Sequence, residues 1–258
     1  MPRFAANLSW LFTERPFAER FAAAAASGFG GVEFLFPYDH RPEEIAGWAG
    51  TAGVEIVLFN LPPGNWSAGE RGIAALPGRE AEFRASVDTG LAYAQGLGTR
   101  RLHAMAGLRA AGAEPDVYVR NLRWAAARLA PHGIDLLIEP INGRDMPGYL
   151  LDRHALALDV LETVNAPNLK LQCDLYHLQI IAGDLSRTLE RDLHRIGHVQ
   201  IAAVPDRGEP DAGEVYYPEL FNLLHRLGYD GWIGCEYRPR GRTEDGLGWL
   251  RLDSSPRP

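Results

Sequence analysis

The chain has 258 residues, of which 46% are hydrophobic and 23% are charged, and this ordinary balance excludes a wholly disordered or membrane-embedded protein. Its formal net charge of −7 argues against a protein that grips nucleic acid, because phosphate binding needs an excess of Lys and Arg. Residues 1–30 lack the pattern of a secretion signal and no run of about 18 apolar residues occurs, so we expect neither a leader nor a membrane span. The two cysteines, Cys173 and Cys235, are too few for a disulfide framework. We therefore expect a cytoplasmic protein with neither membrane nor nucleic-acid partners.

Short β-rich runs alternate with longer helical patterns along the whole chain, which is typical of βαβ units around a parallel sheet. The predicted strands are residues 4–8, 32–35, 55–60, 101–105, 135–139, 169–174, 198–202 and 232–236. The predicted helices are residues 16–27, 43–52, 79–97, 116–130, 152–164, 186–195 and 217–227. We predict a single (β/α)8 TIM barrel over residues 1–258, with a short tail from about residue 237 in which residues 244–250 form a truncated closing helix.

The two longest irregular stretches, residues 61–77 and 203–216, each follow a predicted strand. Loops in that position form the active-site face of a barrel, so their length indicates function.

Four polar side chains end the last four predicted strands. Glu139, Asp174, Gln200 and Glu236 each stand at the carboxyl end of an otherwise apolar strand. A carboxylate in such a strand is costly to bury unless something pairs with it, and one alone could be an internal ion pair or a cap. Four together predict a metal site. Three carboxylates and an amide oxygen suit Mg²⁺ or Mn²⁺ better than zinc.

Two of the eight histidines stand near these residues in the sequence. His103 ends the fourth strand, and His177 lies one turn beyond Asp174, so we expect both to reach the pocket and to bind substrate oxygens and not the metal. His198 shares the face of Gln200 one layer deeper, where a core role is at least as good an interpretation. By the same alternation, Cys173 and Cys235 point towards the helices and pack there. The remaining histidines fit surface or core positions.

At these residues the chain resembles the hydroxypyruvate isomerase family, within the larger group of xylose-isomerase-like barrels. The resemblance runs nearly end to end. It is carried by ANLSWLF at 6–12, GVEFLFPYD at 31–39, HAMAG at 103–107, IEPIN at 138–142, QCDLYH at 172–177, GHVQIAAVPDRGEPDAGE at 197–214 and CEYRP at 235–239.

The resemblance implies an aldose–ketose type isomerisation of a small hydroxy-keto acid, with Glu139 and Glu236 as the acid/base pair and the same four metal ligands. It suggests interconversion of hydroxypyruvate and 2-hydroxy-3-oxopropanoate through an enediolate. The same pattern covers 2-oxo-tetronate isomerases, and related barrels include sugar-acid dehydratases and epimerases. Which glutamate is the base, and whether the protein is a homo-oligomer, stay open.

The charge balance of the predicted site indicates that it needs a cationic side chain in addition to the metal. Three carboxylates and one divalent ion leave about −1, yet the substrate is an anion. We predict that Arg207, in the loop after Gln200, holds the substrate carboxylate through two hydrogen bonds. At the ends of the early strands, Asn7, Glu33, Trp10 and Phe36 are expected to wall the pocket, with Asn7 and Glu33 binding substrate.

Two other classes of protein use a related barrel or pocket. A DNA-repair endonuclease would need several more metal-binding histidines and a basic face. A sugar-acid sensor that binds without turnover would have no need for two glutamates and an aspartate at the barrel mouth.

Overall fold

The computed structural model describes residues 2–254, with side chains described up to residue 250. The strands in this part of the chain are β1 Arg3–Asn7, β2 Gly31–Phe34, β3 Glu55–Asn60, β4 Arg101–His103, β5 Asp135–Ile138, β6 Leu169–Asp174, β7 Ile196–Ile201 and β8 Trp232–Cys235. They form a closed parallel barrel in sequence order, and β8 pairs with β1 from Trp232 opposite Arg3 to Cys235 opposite Ala6. The predicted TIM barrel is confirmed.

Helices return the chain from the carboxyl end of each strand to the start of the next. They are α1 Phe17–Ala26, α2 Pro42–Ala52, α3 Glu80–Leu97, α4 Pro115–Leu129, α5 His154–Val164, α6 Leu175–Ile181, α7 Leu185–Asp192 and α8 Tyr217–Arg226. Gly53 and Gly98 adopt φ values of 72° and 69° as the C-caps of α2 and α3, a left-handed conformation in which glycine ends a helix without strain. No helix in residues 2–254 combines the length and apolar character needed to cross a bilayer.

Several element boundaries differ from the sequence prediction, and those near the site and at the tail matter most. β5 and β8 end at Ile138 and Cys235, so Glu139 and Glu236 are the first residues beyond their strands. The fourth strand ends at His103, two residues early. The tail forms 3-10 turns over Thr243–Ser254, where Gly246 and Gly248 weaken a regular α-helix. Met1 and residues 255–258 of the predicted domain lie outside the described residues.

The interior of the barrel has an apolar floor and a polar layer above it. Ala5, Leu137 and Trp232 pack in one small cluster. Two residues further along β1 and β5, alternation brings Asn7 and Glu139 to the same side. Glu33 and His198 are fully buried in this polar layer. The layer lies at the carboxyl ends of the strands, where it can form the base of a site.

Candidate active site

A cavity of about 240 Å³ opens at the carboxyl ends of the strands, where barrel enzymes place their active sites. Among the predicted site residues, Glu139, Glu236, His103, His177 and Arg207 line it. Trp10, Asp145, Gln172 and the loop residues Trp66 and Arg71 complete much of the wall. With Trp10, the structure therefore brings six of the predicted residues into one pocket, whereas Phe36 does not line it and packs against Trp66.

Asp174 lies beside this pocket, at the junction of β6 and α6, against the lining residues His177 and Arg207. It is the N-cap of α6, and its Oδ1 accepts a hydrogen bond from Tyr176 N at 2.8 Å. Its other oxygen, Oδ2, is buried and has no hydrogen-bond partner among the described residues. The cap thus fixes the carboxylate and leaves one oxygen aimed into the site.

Glu139 repeats this feature on the neighbouring strand end. Its Oε1 is also buried without a hydrogen-bond partner in the described part of the chain. Glu139, Asp174 and His177 offer possible ligand atoms that all lie within 4.8 Å of one another. Two buried anionic oxygens without donors, facing the same space, are what a divalent cation would satisfy. The donor set therefore fits the predicted metal, although the structure contains no ion.

The three central carboxyl groups are difficult to ionise. Burial, together with the nearby charges of Glu236 and Asp174, raises the pKa of Glu139 well above its usual range. Burial raises the pKa of Asp174 to about 6 and that of Glu236 to about 7, against the lowering effect of Arg207. Carboxyl groups with raised pKa values in a cleft suit proton transfer near neutral pH.

Asn7 and Glu33 do not reach the cavity as predicted, because they lie beneath Glu236 and hold it. Asn7 Nδ2 donates to Glu236 Oε2 at 2.9 Å and to Glu33 Oε1 at 3.0 Å. His198 Nε2 lies 2.6 Å from Glu33 Oε2, so His198 belongs to this lower layer as well. Their contacts position a carboxylate, and substrate in the cavity would touch neither Asn7 nor Glu33 directly.

Gln200 lies in the same lower layer with its amide fully engaged. Its Nε2 donates to Glu33 Oε1 at 2.6 Å and to Glu236 Oε2 at 2.8 Å, while its Oε1 accepts from Gln172 Nε2 at 2.7 Å. The predicted ligand atom, Oε1, is therefore turned away from Glu236. If both amides turned over, Gln200 Nε2 could donate to Gln172 Oε1, which is buried and without a partner among the described residues. Metal ligation by Gln200 stays a prediction that requires this turn.

Arg207 lies inside the pocket, buried and already paired. Its Nη1 donates to Asp145 Oδ2 at 2.9 Å and its Nη2 to Glu236 Oε1 at 2.7 Å. The guanidinium stacks between Trp10 and Tyr176, with ring-centroid distances of 4.7 and 5.0 Å. It is thus an internal counter-charge in this structure. A substrate carboxylate would have to use Nε, which is buried and has no partner among the described residues, or replace one of these two partners.

His103 and His177 flank Glu139 as neutral imidazoles. His103 Nε2 lies 3.9 Å from Glu139 Oε2, and His177 Nε2 lies 4.0 Å from Glu139 Oε1. Burial lowers the pKa of His103 to about 3 and that of His177 well below its usual range. At neutral pH both can donate or accept a hydrogen bond without carrying charge.

Sequence reasoning missed several polar residues in and beside the pocket, among them Asn142, Asp145 and Gln172. Asn142 contacts His177, Asp145 pairs with Arg207, and Gln172 holds Gln200. Asn142 and Asp145 lie three and six residues beyond Glu139, and Gln172 lies two before Asp174 on the same face of β6. Polar residues so close to a predicted ligand were the available signal.

Comparisons with known proteins identify the family of the chain. A family model described as a xylose isomerase-like TIM barrel matches residues 21–252. The 2-oxo-tetronate isomerase of Cupriavidus necator is 54% identical over 255 residues, which cover 97% of this chain and 98% of that protein. The hydroxypyruvate isomerase of Escherichia coli is 46% identical over 254 residues, again covering 97% and 98%. A crystal structure from Brucella melitensis, described as an AP endonuclease of family 2, superimposes with a TM-score of 0.95 at 54% identity, covering 98% of this chain and 99% of that one.

Proposed function

The chain belongs to the xylose isomerase-like TIM barrel family, and from this premise we propose that it isomerises a three- or four-carbon hydroxy-keto acid by moving a proton between adjacent carbons. Hydroxypyruvate and 2-oxo-tetronate are the two candidate substrates. The curated relatives named above are isomerases, and each carries one of these substrates in its name. The two buried free thiols, Cys173 and Cys235, fit the cytoplasmic location that we propose with this function.

The observation that carries this proposal is the pair of buried glutamates in one small cavity. Glu139 and Glu236 both line it, and both have raised pKa values. A base that must take a proton from carbon, and an acid that must return one, work best with a pKa near the working pH. One glutamate would remove a proton from one carbon, the other would give a proton to the neighbouring carbon, and the hydroxyl proton would pass to the former carbonyl oxygen. Proton exchange with solvent would then restore the two glutamates.

Mg²⁺ or Mn²⁺ is the proposed cofactor, and Glu139, Asp174 and Glu236 are the proposed ligands, with Gln200 after the amide turn described above. When bound, such an ion polarises the substrate carbonyl and stabilises negative charge on its oxygen. Support comes from Glu139 Oε1 and Asp174 Oδ2, the two buried oxygens without donors among the described residues.

We assign recognition of the substrate carboxylate to Arg207. A substrate carboxylate that replaced Asp145 at Nη1 would leave the bond from Nη2 to Glu236 in place. Asp145 is the partner that can move, because its side chain is 23% exposed, whereas that of Glu236 is 9% exposed. His103 and His177 would contact the remaining substrate oxygens.

The size of the cavity favours a small substrate. Its volume of about 240 Å³ lies below the roughly 300–1,000 Å³ of pockets for drug-sized ligands. Assaying hydroxypyruvate and 2-oxo-tetronate side by side, with Mg²⁺ or Mn²⁺ and with product analysis, tests the proposal. We expect reversible isomerisation of at least one acid. Loss of water from the product would instead identify a dehydratase, inversion of configuration with no shift of the carbonyl would identify an epimerase, and turnover of neither acid would refute the proposal.

The description of the Brucella melitensis structure raises endonuclease activity as a second candidate. An endonuclease must hold a phosphate backbone, whereas this protein carries a net charge of −7 and the three arginines that line its cavity are matched there by three carboxylates. We therefore expect no cleavage of a duplex containing an abasic site at enzyme and metal concentrations that support isomerisation. Cleavage by the wild type that disappears in an Asp174→Ala variant would instead support endonuclease activity at this site.

A further inference from the structure

Asn142 is buried beside the site, and its amide can adopt one orientation. Its Oδ1 accepts hydrogen bonds from Arg144 N at 2.9 Å and Asp145 N at 3.0 Å. Both of these groups are backbone N–H donors, so the atom that faces them must be the amide oxygen. The NH₂ group of Asn142 therefore points the other way.

That NH₂ group faces the imidazole of His177. Asn142 Nδ2 lies 2.6 Å from His177 Nδ1, and the backbone N of Asn142 points to the same nitrogen at 3.4 Å. Two donors aimed at Nδ1 require it to be the acceptor nitrogen of the ring. In a neutral imidazole the proton must then be on Nε2.

His177 Nε2 is the nitrogen that faces the centre of the site. It lies 3.7 Å from Asp174 Oδ2 and 4.0 Å from Glu139 Oε1. By distance alone it would be the third ligand of a metal bound there. A nitrogen that carries a proton has no lone pair to give a metal, however, and it can only donate a hydrogen bond.

We propose that Asn142 is a positioning residue, which fixes neutral His177 with its proton on Nε2, so that His177 donates a hydrogen bond to a substrate oxygen and does not bind the metal. Asn142 acts through His177 and touches neither metal nor substrate. The donation to substrate rests on the proposed isomerase function, whereas the tautomer does not.

His103 offers an internal comparison. Its Nδ1 lies 3.3 Å from Asn60 Oδ1, so an oxygen faces the ring where Asn142 presents a nitrogen. No backbone donors to the Asn60 amide oxygen occur among the hydrogen bonds of the described residues, so its orientation lacks the fixation of Asn142. A change at Asn142 should therefore alter the His177 signals and leave those of His103 in place.

Nitrogen NMR of the ¹⁵N-histidine-labelled full chain tests the tautomer without turnover. The His177 signals are identified by their loss in His177→Gln. We expect Nδ1 to resonate as a bare nitrogen and Nε2 as a protonated one, with the same protonation pattern on saturation with Mg²⁺. A bare Nε2, or an Nε2 that loses its proton when Mg²⁺ binds, would overturn the proposal, and this result does not depend on turnover.

Asn142→Asp tests whether Asn142 fixes the tautomer of His177. The aspartate retains an oxygen for the two backbone donors but presents a second oxygen to His177 Nδ1, so the single proton of the neutral ring should move from Nε2 to Nδ1. With Nε2 no longer a donor, we expect kcat to fall by about ten- to a hundred-fold, the effect of losing one hydrogen bond to a charged group, with metal content unchanged. Unchanged His177 signals would show that Asn142 does not fix the tautomer. Wild-type kcat with a switched tautomer would overturn the donor role alone. Failure to turn over either keto acid would refute the proposed function and leave the tautomer result standing.

Discussion

Arg207 Nη2 donates to Glu236 Oε1 over 2.7 Å, and the same nitrogen lies 3.8 Å from Asp174 Oδ2. One guanidinium thus serves two buried carboxyl groups. Glu139 has no Arg or Lys partner within ion-pair distance among the described residues, and its contacts of this kind are with the neutral His103 and His177. Among the described residues Arg207 is thus the one Arg or Lys within ion-pair distance of the three central carboxyl groups, although Arg71 and Arg238 also line the cavity. The position of Arg207 therefore bears on how the site responds to pH, metal and mutation.

The first prediction concerns pH and the stability of the metal-free protein. Because the pKa of Glu236 rises from 4.5 to about 7 on folding, the folded state binds its proton more tightly than the unfolded state does. This contribution to stability is fully present below pH 4.5 and is lost as the pH rises through 7. The lowered pKa of His103 changes stability with pH in the opposite direction. The contribution of Glu236 is therefore isolated with a variant in which residue 236 cannot titrate.

Glu236→Gln is that variant, since its amide keeps the shape and cannot titrate. With a chelator present, the Tm of wild type minus the Tm of Glu236→Gln should fall as the pH rises from 4.5 to 7. Thermal unfolding followed by circular dichroism measures it. A constant difference across this range would mean that Glu236 keeps an ordinary pKa in the folded protein.

The second prediction is that the protein binds about one Mg²⁺ or Mn²⁺ at this site and that Asp174→Ala abolishes the binding. Asp174 supplies one of the two buried oxygens that have no donor among the described residues. The matched control is Asp192→Ala, which removes another buried aspartate, at the end of α7, from its contacts with His154 and Arg191. We measure the metal content of the two folded variants and expect metal in Asp192→Ala but not in Asp174→Ala. Equal metal content in both variants would exclude Asp174 as a ligand.

The sequence specified the barrel and its mouth because both depend on local patterns. Strands of apolar residues, glycine turns such as Gly53 and Gly98, and carboxylates at strand ends can each be recognised in a short window. Helix α6 escaped prediction because its seven residues, LYHLQII, directly follow a strand and lack a clear helical period. Because α6 starts at Leu175, Asp174 is nevertheless the N-cap of this helix.

The contacts among the polar residues could not be predicted, because they depend on how distant strands approach each other. Glu33 extends over Gly234 of β8, where a Cβ atom would collide with its carboxylate, and so it reaches the layer below Glu236. Gln200 was correctly placed on its strand, but the direction of its amide depends on Gln172 of β6. Neither relation leaves a periodic trace in the sequence.

The third prediction is that Glu139→Gln and Glu236→Gln each lower kcat by about 10²–10⁴-fold, the usual contribution of general acid–base catalysis. The amide keeps the volume of the side chain but cannot take the substrate proton. Metal content is measured alongside, since weaker binding would add to the loss. Asp192→Asn, which neutralises a buried acid remote from the cavity, should retain wild-type kcat. Near-normal kcat in either glutamine variant, with metal bound, would exclude that glutamate as acid or base.

The fourth prediction concerns recognition of the substrate carboxylate by Arg207. Arg207→Ala should raise the KM for the keto acid by about ten- to a hundred-fold, because one or more charge-assisted hydrogen bonds are lost. Arg207→Lys should recover only part of the affinity, since an ammonium cannot replace a planar fork that stacks between Trp10 and Tyr176. Arg84→Ala is the matched control, because Arg84 also stacks on an indole, that of Trp124 at 5.2 Å, outside the cavity.

An uncharged hydroxy-ketone tests whether the effect of Arg207 depends on the charge of the substrate. Wild type and Arg207→Ala should use it about equally poorly. If Arg207→Ala keeps the wild-type KM for the acid, the carboxylate must be held by Arg71 or Arg238, which line the same cavity and have no carboxylate within ion-pair distance in the described part of the chain.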